Sequence, residues 1–200
     1  MSEVGNFLLA SLTVIAQIIS IILIVIYFRH HKKESVIKRF VHIFFKPKDP
    51  ESKTFLFVQK HGMLLAFIVA LTATLGSLFY SEILGYEPCK LCWYQRIFIY
   101  PQVILLGIAL WKKDTHIIKY SLALAIIGGL IAINHYILQV TGVSILPCSA
   151  VGYSVSCSKV FVLRFGYITI PMMAVSASLL MTLALLFAKN NDTDGKKNSL

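Results

Sequence analysis

The chain has 200 residues, of which 57% are apolar and only 14% are charged, and its formal net charge is +10. This composition excludes an ordinary soluble domain, because too few charged side chains are present to cover a water-exposed surface. The excess of Lys and Arg invites a nucleic-acid partner, but these residues flank long apolar stretches. We therefore expect membrane lipid as a partner, and no nucleic acid.

Five apolar stretches approach or exceed the length that crosses a bilayer, which takes about 20 residues. They cover roughly 7–28, 63–83, 93–111, 120–141 and 166–188. Each is predicted to be a helix, because an isolated strand would leave its backbone groups unpaired in lipid. The predicted fold class is an all-α membrane protein, a four-helix transmembrane bundle preceded by one extra N-terminal transmembrane helix.

The chain divides into three parts by composition. Residues 1–58 hold the extra helix and a basic loop, which is expected to be either a helix on the inner leaflet or a solvated segment. The first stretch has no basic n-region and no small-residue cleavage site, so a retained helix is expected. Residues 59–188 form the predicted four-helix core, and residues 189–200 a disordered cytoplasmic tail.

Three features of the core are expected to shape its helices. Gly128 and Gly129 in the fourth span predict a close contact between helices. Pro101 and Pro171 are predicted to kink the helices that contain them, since neighbouring helices can satisfy the freed carbonyl groups.

The basic residues predict the orientation of the chain. Fifteen of the 19 Lys and Arg residues fall within 29–60, 112–119 and 189–197. Five alternating spans place these segments on one side of the membrane and the two cysteine-bearing loops on the other. The positive-inside rule puts the basic side in the cytoplasm. We therefore predict an external N-terminus, a cytoplasmic C-terminus and four cysteines on the oxidising outer face.

The first cysteine pair, Cys89 and Cys92, opens the third span as Cys-x-x-Cys. Cys92 should lie in or just before the first helical turn, where unpaired N–H groups and the helix dipole would lower the pKa of its thiol. Arg96 follows on the same helix face and lies within the span, which marks a functional site unless the side chain snorkels to the headgroups. Thiolate, arginine and aromatic side chains together predict a site for a lipid-soluble oxidant such as a quinone.

The second pair, Cys148 and Cys157, lies in the predicted outer loop 142–165. A disulfide between them is expected to be exposed and labile, or alternatively a static loop closure. His135 is predicted at a depth similar to Arg96, where it would hydrogen-bond a quinone oxygen or help to deliver protons. The alternative is a polar link between helices, and Gln139 on the same face would extend either role.

The run Pro-Cys-Lys-Leu-Cys-Trp-Tyr-Gln-Arg at 88–96 resembles the signature of the bacterial disulfide-bond formation protein B (DsbB) family, especially its BdbC-type branch in Gram-positive bacteria. The resemblance covers about residues 60–188 and includes the later cysteines and the run at 135–139. It implies a quinone-dependent protein thiol oxidase in the bacterial cell membrane. Such an enzyme reoxidises a thioredoxin-fold dithiol oxidase of the DsbA or BdbD kind on the outer face. The electrons pass to menaquinone or ubiquinone.

The resemblance also implies a role for each site residue. Cys148 would form the mixed disulfide with the partner, Cys157 would exchange with Cys89, and Cys92 would face the quinone. Arg96 matches the quinone-site arginine of the family, and His135 is a looser match. The first sixty residues depart from the family pattern, so they leave the role of the extra helix open to anchoring, partner recruitment or dimerisation.

Two other classes of protein remain open on the sequence. One is a membrane protein in which the four thiolates bind zinc or copper, whereas a thiol oxidase of the kind described is expected to have no metal site. The other is a structural membrane protein with two static disulfides. Reduction of vitamin K epoxide, a related quinone chemistry, ranks lower because the usual order of the two cysteine pairs is reversed here.

Overall fold

The computed structural model describes residues 2–31, 53–143, 148 and 156–197. Most of the predicted basic cytoplasmic loop and most of the outer loop between the second pair of cysteines therefore lie outside the described residues. Within the described residues the structure is helical. The only β-type pairing there is an isolated antiparallel bridge between Arg164 and Ile168.

Five long helices follow each other along the chain. They are α1 (Ser2–His31), α2 (Lys53–Leu78), α3 (Lys90–Lys112), α4 (Ile117–Thr141) and α5 (Ile170–Lys197). A π-helical turn at Phe79–Ile83 continues α2 towards the first cysteine pair. All 5 helices are long and apolar enough to cross a membrane. The predicted all-α membrane class is therefore confirmed.

Helices α2 to α5 pack around a core of small and aliphatic side chains. Its buried members include Ala66, Ala70, Leu106, Ala125, Met181 and Leu185. A Cβ added at Gly128 would lie 3.1 Å from Phe98 Cβ, and one at Gly129 would lie 3.2 Å from Ser178 Cβ. The two glycines thus let α4 approach α3 and α5 closely, as the sequence predicts, because tight helix contacts in lipid favour small residues.

Helix α1 packs against α5 through buried polar residues and, in its second half, through apolar residues such as Leu23, which is buried together with Leu183 and Phe187 of α5. Asn6, Thr13 and Ser20 are buried. Gln17 Nε2 donates to Ser176 Oγ at 3.0 Å. Most of the Ile, Leu and Phe side chains of α1 are exposed on the opposite side. This arrangement suits a lipid solvent, where polar side chains gain most by meeting partners on a neighbouring helix.

The last helix differs from the prediction at both ends. It begins at Ile170 instead of residue 166, because Phe165 and Gly166 adopt positive φ angles of 51° and 78° in the preceding turn. Pro171 therefore lies in the first turn of α5, where no backbone donor is lost, and the predicted kink there is wrong. Helix α5 also continues to Lys197, into the segment 189–200 for which a disordered tail is predicted. Extending a formed helix is far easier than nucleating one.

Candidate functional site

The first cysteine pair lies at the start of α3. Cys89 is the N-cap residue, and its Sγ accepts a hydrogen bond from the Cys92 backbone N–H at 3.4 Å. The two Sγ atoms are 3.0 Å apart, and both residues are free thiols in the structure. Cys89 is buried, whereas Cys92 is half-buried. The pair is thus positioned so that only a small movement closes a disulfide.

The sulfur most strongly stabilised as a thiolate belongs to Cys89. The pKa of Cys89 is lowered to about 4, mainly because the Cys92 thiol donates a hydrogen bond to it, with a further contribution from His135 and against the opposing effect of burial. The sequence placed the lowered pKa at Cys92, and in this respect the expectation is wrong. Cys92 lies within the first turn and its thiol is the donor, so the N-cap sulfur receives the hydrogen bonds.

His135 joins the two cysteine regions. The Gln95 side-chain amide lies 3.0 Å from His135 Nδ1, and His135 Nε2 lies 3.1 Å from the Cys157 carbonyl oxygen and 3.7 Å from Cys89 Sγ. When the Gln95 NH₂ donates to Nδ1, the tautomer with its proton on Nε2 satisfies all of these contacts. His135 is 2% exposed and contacts the cysteines. His135 thus links α4 to α3 and to the segment that carries Cys157, as expected for a polar link between helices, and its roles in proton delivery or quinone binding remain predictions.

The second pair forms a disulfide between Cys148 and Cys157. The expected exposure of this bond is wrong for Cys157, which is 1% exposed because it packs with Cys89 and Leu91. Cys148 is half-buried. The Sγ atoms of Cys89 and Cys157 and a ring nitrogen of His135 lie within 4.8 Å of one another. The structure thus brings one sulfur of each pair together.

A cavity of about 350 Å³ opens beside the first pair. Its lining is mostly apolar and comes from α1, α2, α3, α5 and the turns near them. Cys92 and Arg96 are among the lining residues. Cys92 also lines a smaller cavity together with Cys89 and His135. Cys92 is therefore the thiol that faces both the other cysteines and the large cavity.

Arg96 is held by α2 and by aromatic rings, and does not snorkel away from the site. Its Nε donates to Ser77 Oγ at 3.0 Å, and its Nη2 donates to the Ser77 carbonyl oxygen at 3.1 Å. The guanidinium carbon lies 5.2 Å from the ring centroid of Trp93 and 5.8 Å from that of Tyr100. Tyr100 OH also donates to Ser77 Oγ at 3.0 Å. A fixed positive charge thus lines the cavity that Cys92 faces.

Gln95 and Ser77 both bond to residues of the site, although the sequence analysis assigned no role to either. Gln95 lies within the motif on which the family resemblance depends. It follows Cys92 by three residues, a spacing that places the two side chains on the same face of a helix. Ser77 lies 19 residues before Arg96 on another helix, and no local pattern marks it. Gln139, which was expected to extend either role of His135, lines the smaller cavity together with His135, and its amide donates to the Lys159 carbonyl oxygen at 3.2 Å.

Comparison with known proteins matches this part of the chain. Residues 59–188 match the family model described as disulfide bond formation protein DsbB. Disulfide bond formation protein C of Bacillus subtilis strain 168 is 46% identical over 131 residues, covering 64% of this chain and 93% of the relative. The SPbeta prophage-derived disulfide bond formation protein B of the same strain is 47% identical over 115 residues, covering 58% of this chain and 76% of that protein.

More distant relatives carry similar names. A probable disulfide formation protein of Coxiella burnetii strain CbuK_Q154 is 38% identical over 135 residues, covering 67% of this chain and 91% of its own length. No solved structure matches the chain. The family match covers well over half of the chain and contains all four cysteines. The chain therefore belongs to the DsbB family of membrane disulfide bond formation proteins, and within that family to the disulfide formation protein C (BdbC) type.

Proposed function

We propose that the protein oxidises the dithiol of a separate thioredoxin-fold partner, of the DsbA or BdbD kind, and passes the electrons to a membrane quinone. The observation that supports this most directly is the line of sulfur atoms from the second pair to the large cavity. Cys157 Sγ lies within 4.8 Å of Cys89 Sγ. Cys89 Sγ lies 3.0 Å from Cys92 Sγ, and Cys92 lines the cavity beside Arg96.

The residues around the large cavity fit a quinone. Its volume of about 350 Å³ lies within the usual range for small-molecule pockets, and its lining is apolar apart from a few polar groups. Among the described residues, hydrogen bonds engage only Nε and Nη2 of Arg96, so the guanidinium keeps donors for a carbonyl oxygen. A bound quinone, whether menaquinone or ubiquinone, supplies the capacity to accept two electrons and two protons.

The relay begins at the half-buried sulfur of the second pair. A thiolate of the partner attacks Cys148, which forms a mixed disulfide and releases Cys157 as a thiolate. Cys157 then attacks the neighbouring Cys89 of an oxidised first pair and releases Cys92. The close approach of the Cys89 and Cys157 sulfur atoms supports this exchange.

The second thiolate of the partner completes the cycle. It attacks the mixed disulfide, releases Cys148 and leaves as the partner disulfide. Cys148 re-forms its bond with Cys157, and Cys89 is left as a thiolate next to the Cys92 thiol. This is the combination of redox states present in the structure. Loss of two electrons and one proton from these two sulfur atoms would re-form the Cys89–Cys92 disulfide, and a quinone bound beside Cys92 would be the acceptor.

His135 and Arg96 have separate parts in this proposal. His135 Nε2 lies 3.7 Å from Cys89 Sγ and 3.1 Å from the Cys157 carbonyl oxygen, so its N–H can donate a hydrogen bond to the Cys89 thiolate that the cycle leaves. Arg96 provides positive charge beside the cavity, where an oxygen of the acceptor gains electron density. Both side chains are already positioned without the partner, His135 by Gln95 of α3 and Arg96 by Ser77 of α2.

We also propose the orientation that the basic residues predict. The first and second cysteine pairs meet at one end of the bundle, which suits a single reaction centre on the outer face of the bacterial cell membrane. A partner of the secreted thioredoxin-fold kind is accessible only from that side. The C-terminus of α5 and the loop between α3 and α4 then face the cytoplasm.

Quinone reduction coupled to a reduced thioredoxin-fold protein tests the function. Purified protein in detergent is expected to consume one quinone for each partner dithiol, because each transfer carries two electrons. Cys92→Ser should lose this turnover while remaining folded. Quinone reduction that persists in Cys92→Ser would exclude the proposed path.

A metal site is the alternative with some geometric basis. Cys89, His135 and Cys157 present ligand atoms within 4.8 Å of one another. The sulfur of Cys157 is bonded to Cys148, however, and a disulfide sulfur is a poor ligand compared with a thiolate. Stoichiometric zinc or copper in the purified protein, together with no turnover for any quinone, would favour this alternative.

A further inference from the structure

Helix α1 contributes a wall to the cavity that we assign to the quinone. Six lining residues come from this helix: Leu9, Leu12, Thr13, Ile15, Ala16 and Ile19. The family match begins at residue 59, so this wall lies outside the part of the chain that the family shares. The extra helix is thus part of the candidate site and not only a membrane anchor.

The wall reaches the turn of α2 that holds Arg96. A Cβ added at Gly76 would lie 3.2 Å from Leu9 Cδ2, so the missing side chain at Gly76 lets α1 pack closely on α2 there. The next residue, Ser77, is the hydrogen-bond partner of Arg96. Leu9 therefore packs against the residue that directly precedes Ser77, the group that positions the Arg96 charge.

Polar contacts fix α1 in this position. Glu3 forms an ion pair with Arg164, in the segment that leads from Cys157 to α5. Gln17 donates to Ser176 Oγ at 3.0 Å and accepts a hydrogen bond from Tyr167 OH at 2.9 Å. Three such contacts along one helix favour a single depth and rotation of α1.

We propose that α1 closes one side of the quinone cavity and that Leu9, Leu12 and Ala16 determine which quinones the protein accepts and how tightly. This inference rests on the proposed function of the cavity. Branched side chains on this wall limit the substituents that fit beside the ring and add apolar contact to a bound quinone. Among the described residues, no side chain of α1 belongs to the cluster that packs around the cysteines, so the wall should affect the acceptor and not the exchange of disulfides.

The test compares two truncations on the same helix of the full-length protein. Leu12 and Ile18 are 48% and 53% exposed, but only Leu12 lines the cavity. Leu12→Ala is expected to raise the KM for a short-chain benzoquinone about fivefold, the effect of losing part of one apolar contact, whereas Ile18→Ala leaves it unchanged. The rise in unfolding temperature that the same quinone causes, measured without any thiol donor, should shrink only in Leu12→Ala.

A second pair of variants fills the cavity instead of enlarging it. Ala16→Trp should raise the KM for quinone more than about tenfold. The increase should be larger for a naphthoquinone than for a benzoquinone, because the larger ring system needs more of the cavity volume that the Trp side chain fills. Ile18→Trp is the control. If Ala16→Trp does not fold, the truncation pair decides. Wild-type turnover combined with unchanged KM and unchanged thermal shift in Leu12→Ala would overturn the role of α1 alone. Wild-type protein that neither binds nor reduces any quinone would overturn the proposed function and this inference with it.

Discussion

At the residue scale, the central feature is the Cys89 sulfur, which accepts hydrogen bonds from a thiol and a backbone amide at a helix N-terminus. Its pKa is lowered to about 4, so the reduced protein carries a thiolate at neutral pH. A pKa lowered in the folded state stabilises that state most fully above the ordinary thiol pKa of about 8.5. This stabilisation decreases as the pH falls through the window down to about 4.

The Cys92 hydrogen bond is the largest cause of that lowered pKa, and two substitutions separate it from other effects. Cys92→Ser keeps a hydroxyl donor, whereas Cys92→Ala removes the donor. The ultraviolet absorbance of the thiolate in reduced protein should disappear near pH 4 in the wild type and at a clearly higher pH in Cys92→Ala. Cys92→Ser should lie between them, and Cys89→Ser should lack the signal. Equal midpoints in wild type and Cys92→Ala would contradict this explanation.

Ser77 tests how the charge of Arg96 is positioned. In Ser77→Ala the hydroxyl bonds to Arg96 Nε and Tyr100 OH are lost, while the backbone carbonyl still accepts from Nη2. The KM for quinone should rise about fivefold, equivalent to about 1 kcal/mol for the lost hydrogen bond. A single turnover of partner oxidation, measured without quinone, should keep its rate.

Ser11→Ala is the matched control for that substitution. Its hydroxyl bonds only to a backbone carbonyl within α1, so quinone affinity should not change. An unchanged KM in Ser77→Ala would mean that the remaining contacts of Arg96 are sufficient to position it.

Many residues of the candidate site could be predicted from the sequence, but the residues that hydrogen-bond to them could not. The two cysteine pairs and Arg96 belong to patterns whose chemistry is visible in the sequence, because paired cysteines on an outer face predict disulfide chemistry and an arginine within a membrane span is costly without a function. Ser77 is an ordinary helix residue until the fold brings it to Arg96. The assignment of the lowered pKa to Cys92 failed for a similar reason, since the sequence does not show which of the two thiols receives the hydrogen bond between them.

At the element scale, the helices pack through glycines whose neighbours differ in how far they can move. A Cβ added at Gly62 would lie 2.4 Å from the Ala184 backbone oxygen, which cannot move without shifting α5. Gly62→Ala should therefore destabilise the protein by about 1–3 kcal/mol and lower its unfolding temperature. In Gly107→Ala the nearest atom is a Phe67 ring carbon at 3.3 Å, so a smaller decrease is expected. A larger loss in Gly107→Ala would show that the α2 and α5 contact is less rigid than we infer.

Hydropathy predicted the number and type of the helices, but not their exact ends or contacts. The start of α5 depends on the backbone of Phe165 and Gly166, and left-handed conformations are rare enough in non-glycine residues that sequence offers no warning. The polar stripe of α1, which includes Thr13 and Gln17, was visible in the sequence. It showed no partner until α5 was placed beside it.

At the scale of the whole molecule, the account depends on both cysteine pairs lying on the outer face. Cysteine-free protein carrying Ser2→Cys is expected to react with a membrane-impermeant maleimide in intact cells, whereas the matched variant Leu200→Cys should react only after lysis. The physical reason is the cytoplasmic retention of the basic segments. The reverse pattern of labelling would place the reaction centre in the reducing compartment and contradict the proposed function.

The central claim is that the two cysteine pairs act as one relay through Cys89 and Cys157, and disulfide mapping after a trapped reaction tests it most directly. Fully oxidised protein would be mixed, without quinone, with a thioredoxin-fold protein that keeps only its attacking cysteine. The account predicts a mixed disulfide at Cys148, a new disulfide between Cys89 and Cys157, and a free Cys92 thiol. A partner disulfide at Cys148 with the bond between Cys89 and Cys92 still intact would contradict the relay.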